Sequence, residues 1–172
     1  MRPDLAKCLG VLHLMWSNHE IMLEMIAMRE LGITQKHAEI VFASLNSKAV
    51  LEIAVCLLTE ASDDNSDLIR AIKEIPRIAR RNHLTHSSIH FASDGSEVAF
   101  VLRDIASGKF KYRPLSRTVQ QFYDAINELH AAMVEVQTLS GVTDENFISY
   151  THGARASLDE IKSGIPTSSI ES

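Results

Sequence analysis

The 172-residue sequence has little cysteine, scattered glycine and no long hydrophobic run. Cys8 and Cys56 lack the CxxC spacing of zinc and redox sites and lie in apolar, helix-like segments, so we expect two buried, reduced thiols with no chemical role. The seven glycines form neither a GxGxxG nor a GKS/GKT phosphate loop. With 45% hydrophobic and 23% charged residues, the composition is that of an ordinary globular protein.

No apolar stretch approaches the roughly 18 to 20 residues that cross a bilayer, because charged side chains interrupt the first apolar segment. The N-terminal residues lack a small-residue cleavage site, which predicts no signal peptide. We therefore expect one cytoplasmic domain with no membrane contact. The length is sufficient to bury a core without disulfides or metals.

Basic side chains are concentrated in one part of an acidic chain. The whole sequence carries 17 basic and 22 acidic residues, a net charge of -5, yet residues 70–117 hold ten basic against four acidic residues. Such a segment is typical of an anion-binding face, although an ordinary solvated surface would have the same composition.

Apolar spacing predicts a mainly α protein. The first segment has a helical 3-4 seam, and this helix should be buried on more than one side and end at Gly32. The seam consists of Leu5, Cys8, Leu12, Met15, His19, Met22 and Ile26. Thr34 is a candidate N-cap for a short helix to about Ala43, and Ser47 begins another. A further helix starts near Asp67.

The second half predicts a β-hairpin between helices. Pro76 should kink or restart its helix, with the turns IPRIARRNHLTH continuing beyond it. Alternating apolar residues around the Asp94-Gly95 turn predict a hairpin over about 88–113. A long amphipathic helix follows. The predicted fold is a bundle of four to six helices with a short β-hairpin inserted before the last long helix. The domain spans 1–140, and 141–172 form a C-terminal extension with a frayed end.

The stretch RRNHLTHSSIH at 80–90 is the strongest functional signal. On a helix, Asn82 and His86 would share one face with Arg81 within reach. Arginine suits phosphate oxygens, histidine moves a proton near neutral pH, and asparagine can orient either. In RNA the 2′-OH supplies the nucleophile, so these groups suit phosphoryl transfer with no metal or cofactor. The neighbouring candidates for substrate binding are Arg77, Arg80, His83, Ser87 and His90.

Arg81-Asn82-His83-Leu84-Thr85-His86 resembles the Arg-Asn-x3-His motif of the HEPN superfamily (higher eukaryotes and prokaryotes nucleotide-binding). The order of helices over about 5–140 is also similar, with an apolar, tryptophan-containing first helix and the motif near the end of a third. This resemblance implies a homodimer and metal-independent RNA cleavage, with Arg81, Asn82 and His86 as the catalytic residues. It also suggests a role in defence or in a toxin-antitoxin system.

Other interpretations of the same residues stay open. Arg81 could pair with a carboxylate while Asn82 and His86 complete a helix end. His83, His86 and His90 could bind a transition metal, although no Cys or acidic residue lies within that cluster. A non-catalytic helical dimer that binds a nucleotide, an RNA or a protein partner is the main alternative to an enzyme.

Overall fold

The computed structural model describes residues 3–80, 87–92, 97–106 and 109–151. Over these ranges the chain forms six α-helices and one three-stranded sheet. The elements in order are α1 (Pro3–Leu31), α2 (Gln35–Phe42), α3 (Ser47–Ala61), α4 (Ser66–Ala79), β1 (Ser87–Phe91), β2 (Glu97–Ala106), β3 (Lys109–Thr118), α5 (Val119–Ser140) and α6 (144–151). This confirms the predicted mainly helical fold with a β insertion before the last long helix.

Helix α1 is the centre of the molecule, as its apolar seam predicts. It contacts α2, α3, α4 and α5, and buried side chains lie along most of its length. It ends at Gly32, whose φ of 62° is easily reached only by a residue without a Cβ. The Gly32 N–H donates to the Arg29 carbonyl at 3.0 Å and the Ile33 N–H to the Met28 carbonyl at 3.2 Å, which is the Schellman pattern.

The four longest helices form a closed ring of contacts. Helix α1 packs on α3, α3 on α4, α4 on α5, and α5 again on α1. Each helix contributes apolar side chains to one continuous core, which includes Leu12, Leu58, Ile72 and Leu129. This arrangement is a four-helix bundle, in which α2 and α6 are short additions.

Helices α2 and α3 begin where the sequence predicts. Thr34 precedes α2 and Asn46 precedes α3, with the Asn46 side chain accepting a hydrogen bond from the Ala49 N–H at 3.0 Å. Cys8 is buried as predicted, but Cys56 is exposed, because it lies on the face of α3 that points away from the bundle. None of the described helices is long and apolar enough to cross a membrane.

The insertion is an antiparallel sheet in the order β1-β2-β3. Phe91 pairs with Val98, so β1 and β2 pair as the predicted hairpin requires, while the Asp94-Gly95 turn lies outside the described residues. The third strand extends the pairing to Thr118, five residues beyond the predicted boundary. Alternate residues of a strand face opposite sides, and the buried Val98 and Phe100 mark the inner face. Phe100 meets Phe122 of α5 edge to face, with ring centroids 6.0 Å apart.

Candidate functional site

Helix α4 ends directly before the Arg-Asn-x3-His motif. It runs through Pro76 to Ala79 as one helix, so the helix does not restart at Pro76. Arg80 then adopts the left-handed conformation with a φ of 49°, and its N–H donates to the Pro76 carbonyl at 3.2 Å. The helical turns predicted for IPRIARRNHLTH are confirmed as far as Ala79, and residues 81–86 lie outside the described residues. A left-handed residue ends the helix, and β1 begins only seven residues later.

The catalytic candidates Arg81, Asn82 and His86, together with His83, lie outside the described residues. The structure does place four of the predicted binding residues, Arg77, Arg80, Ser87 and His90. Arg77 and Arg80 are exposed at the C-terminal end of α4. Ser87 and His90 are three positions apart on β1 and therefore lie on opposite faces of the sheet.

The two candidate residues on β1 differ in burial as well as in the face of the sheet on which they lie. His90 is exposed on the outer face, opposite Ala99 and Ser116. Ser87 shares the inner face with Phe100, and its buried hydroxyl has no hydrogen-bond partner among the described residues. The structure thus does not bring His90 and Ser87 into one site.

Arg77 is held by carboxylates. Its guanidinium donates to Glu74 with a Nε···Oε1 distance of 2.7 Å, and it lies 3.8 Å from Glu128 of α5. These contacts raise the pKa of Arg77 and lower that of Glu74. Because its Nε and Nη2 donors are already engaged by Glu74, Arg77 is poorly placed to bind a phosphate.

Arg117 is a site residue that the motif search did not single out. It lies on β3, on the same inner face as Phe100, with its guanidinium carbon 5.7 Å from the centre of the Phe122 ring. Burial lowers the pKa of Arg117, and the positive charge of Arg80 lowers it further, while Glu128 opposes the shift. The charge of Arg80, at the C-terminal end of α4, thus acts on Arg117.

A cavity of about 320 Å³ lies beside Arg117, between β3 and the first turns of α5. Its lining is Leu115, Ser116, Arg117, Gln121, Asp124, Ala125 and Glu128. The capping box of α5 fixes this junction: the Gln121 N–H donates to the Thr118 hydroxyl at 3.2 Å, and the Thr118 N–H donates to the Gln121 side chain at 2.9 Å. The cavity is of the size that small ligands occupy in proteins.

Within the described ranges, no three His, Cys, Asp or Glu side chains are grouped as metal ligands would be. Two members of the histidine cluster considered for a metal, His83 and His86, lie outside those ranges. No protein-family model, curated protein or solved structure matches the chain. The resemblance to HEPN proteins therefore rests on the motif and on the order of helices.

Proposed function

We propose that this protein is a metal-independent endoribonuclease of HEPN type, which cleaves single-stranded RNA by attack of a ribose 2′-OH. The observation that carries the proposal is the position of the motif. Arg81 directly follows Arg80, the exposed arginine that caps the C-terminal end of a bundle helix. Positive charge next to proton-transferring side chains is what cleavage of a phosphodiester requires.

Each motif residue has a defined role in this reaction. Arg81 stabilises the negative charge that develops on the scissile phosphate, because its guanidinium is always charged and matches phosphate oxygens. His86 acts as general acid or base, or as a charge stabiliser. Asn82 orients one of these groups. The 2′-OH gives up its proton and attacks the adjacent phosphorus, and the bond from phosphorus to the 5′-oxygen breaks. The 5′-oxygen takes up a proton as it leaves, so the products carry a 2′,3′-cyclic phosphate and a 5′-OH.

Two features of the fold support the proposal: the order of the helices and the exposure of the end of α4. The bundle has the expected order, with a tryptophan-containing α1, the apolar α3, the motif following α4, and α5 closing the ring. The inserted sheet leaves the end of α4 accessible, since Arg77 and Arg80 are both exposed. A homodimer belongs to the same proposal. Exposed apolar side chains such as Leu14 on α1 and Ile40 on α2, at 61% and 67%, provide surface for a second copy.

Purified protein is expected to cleave single-stranded RNA in the presence of EDTA and to leave single-stranded DNA of the same sequence intact. The reason is that the reaction needs the 2′-OH and not a metal ion. Mass spectrometry of the products should show 2′,3′-cyclic phosphate ends. Activity that appears only after a divalent metal is added would contradict the mechanism.

A non-catalytic module that binds RNA, a nucleotide or a protein partner is the second candidate. The observation that favours it is the end of α4 at Ala79, so that α4 itself contains none of the motif residues. In that case the basic end of α4 would bind its partner without chemistry. Both candidates place the protein in the cytoplasm.

Arg77 and Arg80, the exposed arginines at the C-terminal end of α4, should contribute unequally to RNA binding. Arg80→Glu is expected to weaken binding about tenfold at low salt, because it reverses an exposed positive charge directly before the motif. Arg77→Glu should have a smaller effect, because Glu74 and Glu128 already offset its charge. Fluorescence anisotropy with labelled RNA at several salt concentrations measures both. Equal effects of the two variants would count against a binding site centred on Arg80.

A further inference from the structure

Arg117 carries a hydrogen-bond donor without an acceptor. Its Nη1 is buried and has no hydrogen-bond partner in the described part of the chain, although the residue lines the cavity between β3 and α5. A buried donor without a partner costs roughly 1 to 3 kcal/mol in proteins and is therefore uncommon. The cost is understandable if a ligand supplies the acceptor.

The surroundings of Arg117 select among anionic ligands. A guanidinium matches the oxygens of a phosphate, and the nearby Arg80 adds a second positive charge. Asp124 and Glu128 line the same cavity and would repel a dianion such as a free phosphate or a phosphomonoester. A phosphodiester carries one negative charge only. In RNA it is flanked by ribose hydroxyls and base amino groups, which donate hydrogen bonds to carboxylates.

We propose that Arg117 binds a backbone phosphodiester of the RNA substrate, other than the one that is cut, in the cavity between β3 and α5. The proposal rests on the proposed function for the identity of the nucleic acid. It assigns the inserted sheet a role in substrate positioning, because β3 is the element that carries Arg117 to the cavity beside α5.

Arg117→Gln tests the proposal through RNA binding. The comparison is made in a His86→Ala background, so that the RNA stays intact, with anisotropy of a labelled single strand as the readout. We expect the dissociation constant to rise about tenfold, as for loss of one charge-assisted hydrogen bond. The slope of log K against the logarithm of salt concentration should become shallower by the amount expected for the loss of about one phosphate contact.

Arg70→Gln is the matched control. It removes the same charge from α4, but Arg70 is exposed and donates to Glu135 at 2.7 Å, away from the cavity lining. Its expected effect on RNA binding is less than about twofold. The melting temperature of Arg117→Gln shows whether loss of the contact between the Arg117 guanidinium and the Phe122 ring also affects the fold. If Arg117→Gln fails to fold, Arg117→Lys replaces it. Lysine keeps the positive charge but lacks the planar guanidinium that can donate two parallel hydrogen bonds, so Arg117→Lys should weaken binding several-fold.

Three results separate this proposal from the proposed cleavage. Unchanged RNA affinity in Arg117→Gln overturns the phosphate site even if the parent protein cleaves RNA. Arg117-dependent binding in a protein that cuts no RNA supports the site and contradicts cleavage. Inorganic phosphate is the third probe. If inorganic phosphate displaces RNA from the parent protein more strongly than a neutral salt of equal ionic strength, and does not do so in Arg117→Gln, the cavity binds free phosphate. That result would overturn the proposal.

Discussion

Replacing His86 with alanine is expected to reduce the rate of RNA cleavage at least about 100-fold, because general acid-base catalysis contributes about 10² to 10⁴ in enzymes. Arg81→Ala should cost a similar factor, since one group that stabilises developing charge contributes about 10² to 10³. The double variant should be little worse than either single variant, because the two side chains act on one transition state. Single-turnover kinetics with labelled RNA in EDTA give all three rates.

His130→Ala serves as the control for these variants. His130 is an exposed residue of α5 that does not line the cavity, so its replacement should change the cleavage rate less than about twofold. Circular dichroism of each variant tests whether the bundle stays folded. Full activity in either His86→Ala or Arg81→Ala would remove that residue from the mechanism.

The largest effect on stability should come from His19, which is fully buried in α1 at 0% exposure. Neither ring nitrogen has a hydrogen-bond partner among the described residues, and the ring meets Trp16 edge to face at 5.5 Å. A Leu side chain has similar volume and no polar atom. We therefore expect His19→Leu to raise the free energy of unfolding at pH 7.5 by about 1 to 3 kcal/mol.

The same histidine should make the fold sensitive to acid. Burial lowers the pKa of His19 from 6.5 to about 4. Below pH 6.5 the unfolded chain therefore takes up a proton that the folded protein does not. The free energy of unfolding therefore decreases as the pH falls from about 6.5 to about 4. Below about pH 4, His19 is protonated in both states and has no further effect on it. Linkage gives a loss of about 2 kcal/mol between pH 7.5 and pH 5.0.

Urea unfolding at pH 7.5 and 5.0 measures this effect, with the fluorescence of Trp16, the single tryptophan, as the signal. His19→Leu should lose about 2 kcal/mol less than the parent protein between the two pH values. The difference between the proteins matters, because other groups also titrate. Burial raises the pKa of Glu24, for example, which acts in the opposite direction. His130→Leu, at an exposed position, should behave like the parent. An identical pH dependence in His19→Leu would show that His19 is not the sensor.

The helical part of the fold could be predicted because its signals are local. The 3-4 seam of α1, the stop at Gly32 and the starts near Thr34 and Ser47 each depend on residues a few positions apart. The third strand has no such signal. It contains Pro114, which pairs with Val101 only in the folded sheet, so its extent depends on contacts distant in sequence.

The candidate site could be predicted only as a motif. Arginine is a good helix former, and nothing in the sequence near Arg80 indicates the left-handed conformation that ends α4. Arg117 belongs to no motif either. Its importance comes from burial on the inner face of the sheet beside Phe122, which depends on strand pairing and on the packing of α5.

The most direct test of the account is cleavage of one RNA in two forms, with EDTA present throughout. The first step maps the bond that the protein cuts in an unmodified single strand. The second uses the same strand with a 2′-O-methyl group on the ribose 5′ to that bond, which blocks the nucleophile without changing the phosphate charge. The account predicts cleavage of the first strand to a 2′,3′-cyclic phosphate and no cleavage of that bond in the second. Cleavage of both strands at the same bond would contradict it.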